Sequence, residues 1–236
     1  MVPPAKMEAT LPNLLKWLGH SSWQLTTSAG TVFLIDPWLS QNPLAPVKIE
    51  GLPNASHILI THDHSDHSGD AVAVAKQTGA VIVAQPETVT RLKSEGADQV
   101  FGMNVGGGAE LGGVTVTMVD AYHSSQTGTP AGYILELEDG KTLYHAGDTC
   151  LHSNMATWGE LFDIDVALLP IGSRYTMDGR QAARALKLLK PKTALPMHYR
   201  TFPALASSAE LFLAEAREHA PDTTVRVIEP GEVFQF

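Results

Sequence analysis

The sequence is poor in the residues that mark several large classes of protein. One cysteine, Cys150, occurs in 236 residues, so an internal disulfide framework is excluded. That usage, together with the lack of a signal-like opening, sets the expectation of a reducing cytoplasm. Basic residues are also few, with 16 Lys and Arg against 25 Asp and Glu and a formal net charge of -9. Nucleic-acid binding needs a basic face, so a nucleic-acid partner is not expected. No run approaches the roughly 18 apolar residues of a membrane span, so no membrane partner is expected either. What remains is a chain that is 44% hydrophobic and long enough to bury a full core. It reads as one domain over residues 14–236, preceded by a flexible N-terminal extension over residues 1–13 that carries Pro3 and Pro4. A homo-oligomer is compatible with all of this.

What is present centres on the stretch Thr61-His62-Asp63-His64-Ser65-Asp66-His67-Ser68-Gly69-Asp70. It places three histidines and an aspartate in an H-x-H-x-D-H pattern directly after the apolar run His57-Ile58-Leu59-Ile60. In extended backbone side chains alternate, so His62 and His64 share a face and can reach one cation. Asp66 and His67 fall where Ser68, Gly69 and Asp70 announce a turn into a helix, so the chain bends and these two can serve a second cation nearby. An expression tag is terminal and monotonous, whereas this run is internal and lies between a strand signal and a helix signal.

Elsewhere the periodicities alternate between strand and helix. Leu14 to Thr27 and Thr31 to Ile35 read as two strands joined by a turn at Ser28-Ala29-Gly30. Asp36-Pro37 closes the second, because proline cannot continue a central ladder. Residues 38–54, with three prolines, form a long irregular loop, and such loops are often functional. Strands are expected at 57–60, 80–84, 114–119, 132–138, 141–145, 163–170 and 192–197, with further strands in 223–236. Helices are expected at 70–79, 86–96, 177–190 and 207–219. Asp139-Gly140 marks a hairpin, and the triple glycine Gly106-Gly107-Gly108 reads as another hairpin turn. Interleaved helices, strands and hairpins predict a mixed α/β fold with two sheets inside and helices outside.

The motif supplies four ligands, and the rest must come from afar. Three strand ends carry ligand-type residues followed by polar or glycine punctuation: Asp120-Ala121-Tyr122-His123, His145-Ala146-Gly147-Asp148 and Met197-His198-Tyr199. Strand ends on one sheet edge are where α/β proteins build sites. His62, His64 and His123 would hold one metal, Asp66, His67 and His198 the second, and Asp148 would bridge them. Two divalent ions roughly 3.5–4 Å apart can acidify a shared water and clamp a developing oxyanion. Imidazole and carboxylate donors suit zinc first, with manganese, iron or nickel also compatible.

At this point a family resemblance is plain. The H-x-H-x-D-H run, His123, Gly147-Asp148 and His198 resemble the metallo-β-lactamase superfamily. The phrases Leu18-Gly19-His20-Ser21-Ser22, Tyr122-His123-Ser124-Ser125, Tyr144-His145-Ala146-Gly147-Asp148-Thr149, Leu169-Pro170-Ile171-Gly172 and Pro196-Met197-His198-Tyr199 are similar to its small, functionally uncharacterised metal-dependent hydrolases. The resemblance runs from about Leu14 to the C-terminus. It implies a four-layer αββα sandwich with the metal site at one edge of the two sheets and the ligands assigned above. Asp63 and Ser65 stand where such proteins often carry small residues, which leaves the ligands intact.

His20, Asp66 and Asp148 are the candidate catalytic residues, His20 as an acid/base or oxyanion contact suggested by the Gly-His-Ser phrase. Asp36 is a candidate for orienting a ligand imidazole. Tyr175, Thr176, Tyr199 and Thr201 are candidate substrate contacts at the mouth. His145 is expected behind the site, and His57, His152, His219 and Cys150 outside it. The expected function is a dinuclear metal-dependent hydrolase in which a metal-bridging hydroxide attacks an ester, lactone or phosphodiester centre of a small or medium-sized substrate. The alternative is a non-catalytic, metal-dependent small-molecule binding or sensing protein. A di-iron oxidoreductase of the same fold is disfavoured, because His64 stands where a glutamate would be expected.

Overall fold

A computed structural model describes residues 11–236 of the chain; the expected extension over residues 1–13 falls mainly on residues 1–10, outside the described part. Asn13 is buried, exchanges backbone hydrogen bonds with Phe236, and donates a side-chain hydrogen bond to Asp139.

The first half of the chain builds β1 (Leu14–Trp17), β2 (Trp23–Thr26), β3 (Val32–Ile35), β4 (His57–Leu59), α1 (Ser65–Ser68), α2 (Ala71–Thr78), β5 (Val81–Ala84), α3 (Pro86–Ser94) and β6 (Val100–Gly102). The second half builds β7 (Gly108–Leu111), β8 (Val114–Asp120), β9 (Ala131–Glu136), β10 (Thr142–His145), α4 (Asn154–Leu161), β11 (Val166–Pro170), α5 (Gly179–Leu189), β12 (Thr193–Met197), α6 (Glu210–His219), β13 (Thr224–Val225) and β14 (Val233–Gln235). Two seven-stranded sheets result, ordered β14-β1-β2-β3-β4-β5-β6 and β13-β12-β11-β10-β9-β8-β7. Each sheet is therefore built from one half of the chain, except that β14 returns to the first.

Side-chain alternation sorts the layers. Phe33, Ile35, Leu59 and Val83 point into the main core with Trp17, Trp23, Tyr133 and Leu135, whereas Leu34, Ile58, Ile60 and Ile82 face Ala71, Val74 and Leu92 of α2 and α3. On the other side α5 lays Ala182, Leu186 and Leu189 into the core. Asp178 caps that helix by accepting from the Gln181 N–H at 2.8 Å, a contact worth about 1 kcal/mol. The result is the αββα sandwich that the resemblance implied. No helix of the described residues is long and apolar enough to cross a membrane.

Strand direction is what positions the site. β1, β3, β4, β5 and β6 run the same way in the first sheet, and β8, β10, β11 and β12 run the same way in the second. Their C-terminal ends open at one edge, where sheet-to-sheet hydrogen bonds join them. Tyr133 donates its hydroxyl to the Ile60 carbonyl at 2.8 Å, the Ala131 N–H donates to Thr61 at 3.0 Å, and the His198 N–H donates to His20 at 3.2 Å.

The structure adds the one-turn α1 and the short strands β6 and β7, which were not expected, and departs from the expected elements in three further places. Leu14 to Thr27 is two strands, because Leu18 to Ser22 reverses the chain through the Ser22 N–H to Gly19 carbonyl bond at 3.0 Å. The hairpin turn is Gly112-Gly113 and not the triple glycine: φ is 59° at Gly112 and 88° at Gly113, the left-handed pair that a tight two-residue hairpin requires. Gly106 to Gly108 instead lies where the chain leaves the first sheet for the second. Finally, α4 was not expected, since its buried face rests on little more than Met155.

Candidate metal centre

Every predicted ligand lies just beyond the end of one of these strands. His62 and His64 follow β4, α1 carries Asp66 and His67, His123 follows β8, Asp148 follows β10 and His198 follows β12. Three of the side chains at this edge, His20, Asp36 and His198, sit on left-handed backbone with φ of 56°, 45° and 57°. Such a conformation costs about 1–2 kcal/mol per non-glycine residue, so the surrounding fold imposes it. At Gly147, φ is 62° and a Cβ would collide with the Ala131 carbonyl. Glycine is required there to turn Asp148 inward.

The structure brings all seven predicted ligands together. Donor atoms of His62, His64 and His123 lie within 4.8 Å of one another, as do those of His62, His67 and Asp148, and those of His20, Asp66, His67 and His198. Asp148 is central: its carboxylate lies 2.9 Å from His198 Nε2, 3.4 Å from His67 Nε2 and 3.6 Å from His123 Nε2. His62 Nε2 and His64 Nδ1 are 3.0 Å apart. These spacings bracket the edge of a tetrahedron around zinc, about 3.3 Å for bonds of 2.0–2.1 Å. His67 Nε2 and Asp148 Oδ1 are buried with no hydrogen-bond partner, which normally costs about 1–3 kcal/mol per group. A cation between them removes that cost, so the donor set fits divalent metal.

Asp36 organises the imidazoles from behind. Its Oδ2 accepts from His67 Nδ1 at 2.7 Å and from the Thr61 hydroxyl at 2.6 Å. Since Thr61 gives its only proton to Asp36, its oxygen accepts from His62 Nδ1–H at 3.0 Å. Both rings are thereby held with Nε2 turned to the site. His145, as expected, packs behind: Gly147 N–H donates to its Nδ1 at 3.1 Å and its Nε2–H donates to the Ser21 carbonyl at 3.0 Å.

The electrostatics show the demand for positive charge. Burial would raise the Asp148 carboxyl, but His198 and His67 outweigh it and hold the group well below the usual carboxylate range. Burial would lower His67, but Asp148 and Asp36 on either side outweigh it and hold the imidazole well above its ordinary value. A metal ion competes with that proton. Burial and the neighbouring His67 push His62 down to about 3.

His20 is completely buried and lies behind Asp66, which it meets through Nε2 at 3.1 Å, while Thr201 Oγ1 holds Nδ1 at 2.8 Å. Burial and His198 push it down to about 4, so it is neutral at pH 7. The expected acid/base role needs contact with substrate, and the side-chain hydrogen bonds seen here are to Asp66 and Thr201. Beside the donors opens a cavity of about 320 Å³ lined also by Ser124, Tyr175 and Phe202. Of the four candidate substrate contacts only Tyr175 lines it. Thr176 is buried, Thr201 holds His20, and Tyr199 is buried against Trp17 with ring centroids 5.6 Å apart. Tyr199 falls inside because the chain leaves β12 through left-handed backbone at His198, φ 57°, which breaks the strand alternation.

Asp63, between the first two histidines, was passed over by the ligand count. Alternation sends it away from them, and it accepts hydrogen bonds from Ser125 Oγ at 2.9 Å, Thr127 N at 2.6 Å and Thr127 Oγ1 at 2.8 Å. It thus holds the loop that follows His123. His57, His152 and His219 lie outside all three donor groups, as does Cys150, which is exposed.

The fold and the donor set define a member of the beta-lactamase superfamily: the model of the beta-lactamase superfamily domain matches residues 31–199. Within it, the chain belongs to the family of UPF0173 metal-dependent hydrolases. It is 46% identical over 227 residues to such a protein from Pyrobaculum arsenaticum, covering 94% of this chain and 99% of the relative. It is 44% identical over 223 residues to one from Nitratidesulfovibrio vulgaris, covering 92% and 93%. The solved structure of Igni18, a metallo hydrolase from Ignicoccus hospitalis, superposes with a TM-score of 0.87 at 39% identity, covering 96% of this chain and 99% of that one.

Proposed function

We propose that the chain is a dinuclear hydrolase acting on an ester, lactone or phosphodiester centre of a small or medium-sized molecule. The observation that supports this reading best is Asp148, whose single carboxylate faces His67, His123 and His198 together. His62, His64 and His123 would hold one cation, Asp66, His67 and His198 the other, and Asp148 would join them. When bound, the two cations would supply an acidified water and an electrophilic clamp for the developing charge; zinc fits the donors, as do manganese, iron and nickel.

The chain's own residues supply position. Asp36 fixes His67 directly and His62 through Thr61. Neutral His20 donates Nε2–H to Asp66 and accepts the Thr201 hydroxyl at Nδ1, which sets the rotation of that carboxylate. Burial of His62, His67, Asp148 and His198 keeps bulk water from competing for the donor atoms. Both sheets contribute, which supports reading residues 14–236 as one domain.

The test combines metal analysis with a metal-replete screen over phosphodiesters, lactones and thioesters. Two equivalents of metal and turnover that Asp148→Ala abolishes are expected. Far less than two equivalents, with no gain on adding zinc or manganese, would sink the reading. Full metal, no turnover on any substrate and tight small-molecule binding would favour a binding or sensing protein.

A further inference from the structure

The cavity's walls carry information on what sits beside the metals. Apart from the donor side chains, it is lined by Ser124, Tyr175 and Phe202. Tyr175 comes from the loop between β11 and α5, and Phe202 from the loop between β12 and α6. The two residues keep 56% and 38% of their surface exposed, so they present apolar area that a ligand can cover. Phe202 is a fixed wall: its ring centroid lies 5.7 Å from that of Trp38 and 5.5 Å from that of His20.

No lysine or arginine lines this cavity among the described residues. Of the arginines on neighbouring segments, Arg200 and Arg91 are paired away from the cavity, and Arg174, itself outside the lining, is held on the Tyr175 ring. Arg200 forms a bidentate pair with Glu229 at 2.9 Å, Arg91 bonds Glu95 at 3.0 Å and Ser68 at 2.8 Å, and Arg174 stands over the Tyr175 ring, 5.6 Å from its centroid. A phosphate or carboxylate substituent placed away from the metals would lose its hydration there and gain no charged partner, which is costly. A volume of about 320 Å³ is at the small end for ligand pockets, room for one ring and the reacting group.

We infer that the substrate is a neutral ester or lactone whose non-reacting part is an uncharged aromatic or similarly flat apolar group, seated between Phe202 and Tyr175. Phosphorylated substrates, whose second charge would have to lie between these rings, are selected against. This rests on the hydrolase reading above and names its substrate class.

Binding tests it without turnover. Zinc-loaded protein, its metal content first measured, is titrated calorimetrically with acetohydroxamate, benzohydroxamate and 4-carboxybenzohydroxamate, which share a metal-seeking head. Covering one ring should make benzohydroxamate bind about tenfold more tightly than acetohydroxamate, and the added carboxylate should erase that gain. In Phe202→Ala the ratio of the first two affinities should fall to about one, while the ring-retaining Tyr175→Phe keeps it. The inference is overturned if the carboxylated probe binds as well as or better than benzohydroxamate, if the ratio survives Phe202→Ala, or if metal-loaded protein binds none of the three. Failure to take up metal would instead overturn the dinuclear reading, and this inference with it.

Discussion

The carboxylate of Asp36 lies 2.7 Å from Nδ1 of His67, with both side chains fully buried. Through Thr61 the same carboxylate also reaches His62, so one residue aims two ligands. Asp36→Ala should weaken metal binding about 10–100-fold, read by competition with a chromogenic chelator. Asp36→Asn tests the charge separately, because asparagine tolerates the left-handed φ of 45° found there. Unchanged affinity in both variants would remove Asp36 from the site.

Metal removal should lower the melting temperature. The donors come from both sheets and include buried atoms without partners, so a bound cation stabilises only the folded chain. At 100–1,000 times its dissociation constant, one ion adds about 3–4 kcal/mol, and a chain of this size shifts by about 2–4 °C per kcal/mol. Thermal melts with and without EDTA should differ by about 5–15 °C. Identical melts would contradict the assignment.

Asp63→Ala should loosen the loop after His123 without removing a ligand. The substitution leaves the N–H groups of Gln126 and Thr127 without the acceptor they share, at about 1–3 kcal/mol each where they are shielded from water. Hydrogen exchange in a peptide spanning residues 123–128 should speed up by at least tenfold, with metal content retained. Unchanged exchange would show that Gln85 and Thr88, which also hold this loop, suffice.

The pH dependence of stability should carry a His145 component. Burial holds this imidazole below its ordinary value of 6.5, so the folded chain keeps it neutral while the unfolded chain takes up a proton below that pH. Stability from this residue is complete above about pH 6.5 and declines as pH falls below it, by at most about 1.4 kcal/mol per unit. Urea midpoints at pH 7.5 and 5.5 should therefore converge between wild type and His145→Gln. A gap that stays constant would rule the component out.

The clustering of the seven donor side chains was legible in the sequence because His123, Asp148 and His198 each follow a strand signal and because His62, His64, Asp66 and His67 lie within six residues. Asp36 was legible from the Asp-Pro stop that follows an apolar run. The lining of the cavity was not. Phe202 follows Thr201 in a loop without periodicity, and only the packing of Trp38 and His20 against it places its ring beside the donors. The exchange of roles between Tyr199 and Phe202 has the same origin: His198 turns through left-handed backbone, so residues after it no longer follow the alternation of β12. The turn at Gly19-His20 was read through although Gly19-His20-Ser21-Ser22 is a run of turn-type residues, because the mostly apolar stretches Leu14 to Leu18 and Trp23 to Leu25 on either side pass for one strand when that run is ignored.

The division of the chain into one sheet per half has a kinetic meaning. His62, His64, Asp66 and His67 belong to the half that builds the first sheet, and His123, Asp148 and His198 to the half that builds the second. Neither half alone offers a complete donor set, so a full site exists only after the two sheets have docked. A cation that recognises the docked pair acts late on the folding path: it slows unfolding strongly and leaves the refolding rate nearly untouched. Resistance to proteolysis in the cell would then follow metal supply, through the lifetime of the folded state.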